Sequence, residues 1–413
     1  MGTNASVFDH ASDFELEIAG QLEPSSSLDR GASCPPSFTF YEFFAGGGMA
    51  RAGLGSGWTC LFANDFDFKK SVTYNENWGQ GALYTKDVSK LTTSELPGAP
   101  KLVWASFPCQ DLSLAGMGAG LKGDRSGTFW PFWKLIKKLR AEKRGPDLVV
   151  LENVCGTLTS HEGKDFTAIA EALADEGYRF GAVVIDAVSF VPQSRPRLFI
   201  IAVADGVSVP ENLVDSDAAP LWHPKALRAA YMRLSDAVKA QWLWWSLPKV
   251  TPRKKRLADL VEENPSCVAW HSTSETEKLL NMMNDLNFEK VISAQKGGKR
   301  VVGTVYKRTR FDDDDEKVQR AEIRFDEVAG CLRTSSGGSS RQLIVVVEGE
   351  SVRSRLLSSR EAARLMGLPD EYKLPKSYNE AYHLLGDGLV VPVVRHLAEN
   401  LLEPILKNSQ AGA

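Results

Sequence analysis

Phe40-Tyr41-Glu42-Phe43-Phe44-Ala45-Gly46-Gly47-Gly48 is the stretch that decides the fold class. Phe40–Phe44 is a short apolar run of the kind that forms a buried strand, and three glycines follow directly. Glycine there allows a tight turn and lets the backbone approach a ligand closely. Outward from this point, five more short apolar runs read as strands: Thr59–Ala63, Leu102–Ala105, Leu148–Leu151, Ala182–Val188 and Leu198–Val203. Between some of them the apolar spacing becomes helical. Phe129, Phe132, Trp133 and Ile136 share a face with Lys134, Lys137 and Lys138 off it, and Phe166, Ile169, Ala170 and Leu173 repeat the spacing. Strands alternating with helices imply an α/β layer fold around a mostly parallel sheet.

The chain has 413 residues, 43% of them hydrophobic, enough for a large core and by length about two to three domains. No apolar run reaches the ~18 residues of a membrane span and no basic segment followed by an apolar one opens the chain, so a cytoplasmic protein is expected. Cysteines at 34, 60, 109, 155, 267 and 331 form no CxxC pair, so neither zinc nor a disulfide framework is indicated. Net charge is −3, which offers no general attraction to nucleic acid, but the charge is uneven. Residues 1–37 are rich in Ser, Pro and acids and read as disordered. Arg253-Lys254-Lys255-Arg256 and the acid-free stretch Lys296 to Arg310 are basic enough to engage phosphate locally. The alternation fades from about residue 205, where an aromatic cluster (Trp242, Trp244, Trp245), the acidic run Asp312 to Glu316 and the Gly/Ser loop Ser335–Ser340 suggest a separate, less regular unit. Regular patterning then returns. Ser358 and Glu361 form a capping box, and Pro392 opens a last helix whose apolar face runs through Val393, Val394, Leu397 and Leu401.

Four elements carry chemistry. The glycine turn is followed, at the end of the next strand, by Asn64-Asp65, an acid placed to hold ribose hydroxyls. Strand, turn and acid together fit a nicotinamide, a flavin or S-adenosylmethionine. Asp87 before Val88 is either an adenine contact or an ordinary loop acid. Ser106-Phe107-Pro108-Cys109-Gln110 ends another strand, the edge where open α/β sheets bind ligands, and a thiolate is a good nucleophile there. A lone cysteine is more often a buried structural thiol, and Cys155 is read that way. Leu151-Glu152-Asn153-Val154 puts a carboxyl at the same edge, where burial could raise its pKa and fit it for donating a proton to a ring nitrogen. Gln193-Ser194-Arg195-Pro196-Arg197 places two arginines on the same side of an extended segment, aimed at a base or phosphate, or simply at solvent.

These elements, in this order, resemble the C5-cytosine DNA methyltransferase family. Asp124-Arg125-Ser126-Gly127-Thr128, Arg360-Glu361-Ala362-Ala363-Arg364-Leu365-Met366-Gly367 and Gly386-Asp387-Gly388 add further likenesses, so the resemblance covers about residues 38–204 and 351–405. It implies a Rossmann-like large domain (38–204 and 351–408) that binds S-adenosyl-L-methionine, and a smaller target-recognition domain (205–350). Cys109 would be the nucleophile. Glu152 would hold the base at N3 and its amine, Arg197 would contact the base and Arg195 would support the site. Phe44, Ala45, Gly46, Gly47, Gly48, Asp65, Phe66, Asp87, Val88, Pro108 and Asp387 would serve the cofactor. Asp387 stands where the family often has Asn, and Ser106 where many members have Gly. Gln110, Ser113, Arg333 and Arg341 are the candidate DNA contacts, Arg333 just before the loop Thr334–Gln342 and Arg341 near its end. The implied partner is double-stranded DNA, the implied state a monomer, and the implied setting a restriction–modification pair with a separate endonuclease in a bacterial cytoplasm. The Trp242–Trp245 cluster is read as packing. Competing readings are a tRNA-methylating relative, whose Cys-Phe-Thr tripeptide is absent; a catalytically silent homologue, which the intact Cys109, Glu152 and arginines oppose; and a nicotinamide dehydrogenase, which leaves the other motifs unexplained.

Overall fold

The computed structural model describes residues 38–108, 128–311, 315–333 and 341–411. Its main layer holds β1 (Phe38–Phe43), β2 (Trp58–Asp65), β3 (Leu83–Thr85), β4 (Leu102–Ala105), β5 (Leu148–Val154), β6 (Tyr178–Asp186) and β7 (Pro196–Ala204), in the order β3-β2-β1-β4-β5-β7-β6. β7 runs antiparallel between β5 and β6, and the pairs from β3 to β5 are parallel. The six expected strands are all present. β3 gave no apolar run because it is three half-buried or exposed residues at the sheet edge. Continuous apolar runs mark the central strands because both of their faces are covered. The helices α1 (Met49–Leu54), α2 (Phe68–Trp78), α3 (Phe129–Ala141) and α4 (Lys164–Asp175) supply that cover, α3 burying Phe129, Phe132, Trp133 and Ile136 as their spacing required.

Residues 207–261 change texture but not allegiance. They hold β8 (Val214–Asp215), α5 (Lys225–Met232), α6 (Asp236–Lys239) and β9 (Trp244–Trp245), and their buried Trp222, Leu227, Trp245 and Leu257 belong to the core of the large sheet. The segment covers the edge of β6: Phe180 N–H donates to Gln241 O and Leu243 N–H to Phe180 O, and a Cβ at Gly181 would lie 1.8 Å from Leu243 O. An uncovered edge strand invites aggregation, and irregular backbone can cap it without any hydrophobic period. The packing therefore divides later than the sequence texture, which changed at 205.

A second, smaller core gathers Leu279, Met283, Val291, Val305, Ala321, Leu343, Val345 and Val347. It lies between the helices α7 (Thr273–Asn281) and α8 (Asp285–Lys296) and an antiparallel sheet of β10 (Val301–Phe311), β11 (Lys317–Arg324), β12 (Leu343–Glu348) and β13 (Ser351–Leu356), ordered β11-β10-β12-β13. β12 joins the two cores. Leu343, Val345 and Val347 face the small one, while Ile344 and Val346 face the large one, which is why Leu343–Val347 is apolar without a break. The chain then returns through α9 (Ser359–Leu365), α10 (Tyr378–Asp387), α11 (Val391–Leu397) and α12 (Glu403–Ala411). Ser358 caps α9 by the expected box, and α11 has its proline in the first turn. α1 and α11 pack so closely that a Cβ at Gly53 would lie 2.3 Å from Val394 Cβ.

Candidate active site and cofactor cavity

The carboxyl ends of β1, β2, β4 and β5 open into one cavity of about 420 Å³. Phe44, Ala45, Gly46, Gly47, Asp65, Phe66, Pro108, Glu152, Arg195, Arg197 and Asp387 all line it. The glycine turn has a specific reason at Gly46, whose φ of +54° is left-handed and whose N–H donates to Asp65 Oδ2 at 2.8 Å. The other carboxylate oxygen of Asp65 accepts from Asp67 N–H at 2.8 Å, so the acid is locked at the mouth of β2. Phe44 is also left-handed, at φ +57°, a costly conformation for a residue with a side chain.

Glu152 is buried at the end of β5. Burial raises its pKa, opposed by Arg197, Arg195 and a hydrogen bond from the Ser106 hydroxyl, and the net direction is upward. Arg197 Nε lies 3.2 Å from Glu152 Oε1. Arg195, on the same side of the chain, has another task. Its guanidinium donates to Leu332 O (2.9 Å), Gly386 O (2.8 Å) and Gly388 O (2.7 Å), bracing the start of β7 against the Leu332 segment and the C-terminal end of α10. Burial and the neighbouring Arg197 depress its pKa to about 10. The two arginines thus line one cavity, with Arg197 at the carboxyl and Arg195 in the scaffold. Asn153 Nδ2 donates to Phe107 O at 3.1 Å and so ties β5 to the residues just before Cys109.

Other candidates are placed elsewhere. Cys109, Gln110, Ser113 and most of the loop Thr334–Gln342 lie outside the described residues. Gly48 caps α1 with φ +78°, Asp87 accepts from Ser89 N–H and Oγ, and Val88 is buried in the core, all three off the cavity wall. Arg341 donates to Asn379 Oδ1 and lies over the Tyr378 ring. Arg333 lines a wider groove of about 950 Å³ between the start of β7 and the β10–β11 sheet, with Lys290, Lys307, Arg308 and Arg324. The basic stretch thus reaches that groove through Lys307 and Arg308. The Trp242–Trp245 cluster packs on itself, Phe166 and Phe180.

Three wall residues escaped the sequence reading. Lys70 Nζ (2.7 Å) and His383 Nδ1 (3.3 Å) both meet Asp387 Oδ2, linking α2 and α10 across the cavity mouth. No local pattern announces that pairing, since Lys70 and Asp387 come from opposite ends of the sequence. Glu42 was legible as an acid inside an aromatic strand. It is buried beneath the cavity, burial pushes its pKa up to about 8 against the charge of Arg51 and hydrogen bonds from the backbone of Arg51 and Ala50, and its Oε2 has no partner among the described residues.

The wall suits S-adenosylmethionine. The volume falls within the about 300–1,000 Å³ of small-molecule sites. Among the described residues, chain neighbours apart, no atom comes within 4 Å of where a Gly46 Cβ would stand, Asp65 offers acceptors for hydroxyls, and the Glu42 carboxyl adds a polar group to the lining.

Comparison with known proteins agrees. The Type II methyltransferase M.BsuFI of Bacillus subtilis is 26% identical over 371 residues, covering 89% of this chain and 73% of that protein. M.HhaI of Haemophilus parahaemolyticus is 25% identical over 366 residues, 88% of this chain and 93% of that protein. The S. pombe Dnmt2 methyltransferase shares the fold, with a TM-score of 0.53 at 18% identity over 89% of this chain and 99% of that one. The model of the C-5 cytosine-specific DNA methylases matches residues 38–403. Its members are S-adenosylmethionine-dependent DNA (cytosine-5-)-methyltransferases. With that match running from β1 into α12, across both cores and the whole cavity, the chain belongs to the C-5 cytosine-specific DNA methylase family.

Proposed function

We propose that the protein methylates C5 of a cytosine flipped out of a specific duplex sequence, through a transient bond between Cys109 Sγ and C6. The observation that carries this reading is the buried Glu152, held by Arg197 in the cavity that Asp65 and Gly46 also line. When bound, S-adenosylmethionine supplies an electrophilic methyl group. Cytosine C5 is too weak a nucleophile to take it unaided. Addition of the Cys109 thiolate at C6 breaks the C5–C6 double bond, and protonation or hydrogen bonding of N3 by Glu152 leaves C5 enamine-like. C5 accepts the methyl, whose bonding pair stays with the departing thioether; C5 then gives its proton to a base, N3 returns its proton to Glu152, and the thiolate departs as the C5–C6 double bond reforms. A carboxyl with a raised pKa is suited to the N3 step. Asp65 would accept from ribose hydroxyls, and Phe66, exposed at the mouth, offers its ring to the adenine.

The target atoms are inaccessible inside a duplex, so the base has to be extruded at a cost of about a few kcal/mol. The basic groove beside β7 supports DNA binding there, and the unit built on β10–β13 is the proposed target-recognition domain; it overlaps the expected 205–350, but its last strand, β13, runs past that boundary to Leu356. The proposal extends to a monomer acting in a bacterial cytoplasm, and to a separate restriction endonuclease, which the Type II names of the relatives support. No helix among the described residues is long and apolar enough to cross a membrane. Bisulfite sequencing of DNA from cells expressing the protein tests the reading: protected cytosines in one sequence context are expected, and a pattern identical to cells lacking it overturns it.

A further inference from the structure

Cys331 lines the basic groove, while the two arginines bonded to its sulfur line the smaller cavity. Arg195 Nη1 lies 3.3 Å from its Sγ and Arg197 Nη2 3.9 Å. The backbone beside it is fixed from several directions. Tyr306 Oη donates to Cys331 O at 3.2 Å, Leu332 N–H donates to Gln193 Oε1 at 3.1 Å, and Leu332 O accepts from Arg195. A Cβ at Gly330 would lie 2.0 Å from Tyr306 Oη, so the chain has no room to slide. The sulfur therefore sits at a set point between two guanidiniums that repel one another.

We infer that Cys331 is a positioning residue for methyl transfer, its sulfur holding Arg197 against Glu152 at the boundary between the base cavity and the DNA groove. The inference rests on the function proposed above. Arg195 is anchored by three carbonyls, whereas among the described residues Arg197 has Pro196 O and Glu152 besides the sulfur. Without an acceptor between them, repulsion from the anchored Arg195 acts on the less restrained Arg197 and turns it from the carboxyl. A thiolate does this better than a neutral group. Burial pushes the Cys331 thiol up, but Arg195, Arg197 and, more weakly, Arg333 together more than reverse it, leaving its pKa below the ordinary value. In Cys155 burial prevails and the pKa is raised.

The experiment compares the full-length wild type with Cys331→Ala and Cys331→Ser. With duplex DNA and S-adenosylmethionine, Cys331→Ala is expected to lower kcat about tenfold with KM for DNA within about twofold, the size of one charge-assisted hydrogen bond. Thermal midpoint and S-adenosylmethionine affinity by calorimetry stay at wild-type values. Cys331→Ser keeps an acceptor but does not ionise, so it restores part of kcat, and the wild-type-to-Ser ratio rises with pH. Unchanged kcat in the Ala variant, or a loss of midpoint and cofactor affinity in step with kcat, overturns the inference. A ratio that stays flat with pH overturns it as well. Alkylation by iodoacetamide, followed residue by residue by mass spectrometry, needs no methyl transfer. Cys331 should react faster than Cys155 at pH 7, and a slower reaction overturns the inference even if the wild type methylates nothing. A wild type that transfers no methyl while Cys331 reacts fast refutes the proposed function alone.

Discussion

Two buried arginine–glutamate pairs in this molecule have the same chemistry and opposite characters. Arg355 and Glu361 meet in two bonds of 2.8 and 2.6 Å, with side chains 0% and 1% exposed. Glu361 also accepts from Ser358 and Glu262 N–H, and Arg355 also donates to Leu356 and Glu262 carbonyls. That pair uses both carboxylate oxygens and both terminal nitrogens, leaves Arg355 Nε without a hydrogen-bond partner among the described residues, and locks β13 to α9 with no cavity in front of it. Arg197 and Glu152 touch once, at 3.2 Å, with side chains 16% and 9% exposed and a cavity in front of them. Their unused donors and acceptors, which would destabilise a sealed core, are what a base edge could bind. A buried ion pair in a site is distinguished by what it leaves unsatisfied.

The sharpest way to break this contrast is to neutralise each carboxylate. Glu152→Gln should lower kcat by about 10²–10⁴-fold, the usual worth of a general acid, and leave the thermal midpoint nearly unchanged. Glu361→Gln should do the reverse: a loss on the order of 3–5 kcal/mol of stability, with normal methylation per folded molecule, because Arg355 is left buried without its charge partner. Chemical denaturation beside steady-state methyl transfer checks both. If Glu152→Gln unfolds the protein and Glu361→Gln abolishes turnover, the assignment of roles is inverted.

Glu42 is another buried carboxyl, with no cation bonded to it among the described residues. Its folded pKa of about 8 lies above an ordinary 4.5, so its contribution to stability is intact below 4.5 and is lost as pH rises toward and through 8. Glu42→Gln removes that loss. Its thermal midpoint should match the wild type near pH 4.5, the gap opening in favour of Gln to a few degrees by pH 8. A gap that narrows with pH would contradict the burial that raises this group.

The smallest expected effect belongs to the groove. Arg324→Gln, at a wall residue already engaged by Asp326, should weaken binding to all duplexes alike and reduce the salt slope by about one if it meets a phosphate. Fluorescence titration at several salt concentrations reads this. A change confined to one sequence would instead assign Arg324 to base recognition.

The sequence made the central strands visible because burial on both faces leaves an unbroken apolar run, as in Leu148–Leu151. It made Asp65, Glu152 and Arg197 visible because strand ends of an open sheet converge on one edge. It hid the role of residues 207–261, since backbone that covers a strand edge needs neither period. It also hid the division of labour between Arg195 and Arg197. Alternation on an extended segment says only that two side chains point the same way.

By itself, then, the order of residues determined the α/β layering, the family and which chemical groups reach the cavity, because these follow from local periodicity and from motifs short enough to be read along the chain. Which arginine is scaffold and which faces the carboxyl, the meeting of Lys70 with Asp387, and the place of Cys331 between two guanidiniums come from the packed fold alone. Those outcomes depend on distances between segments far apart in the chain, and on burial that no single segment specifies.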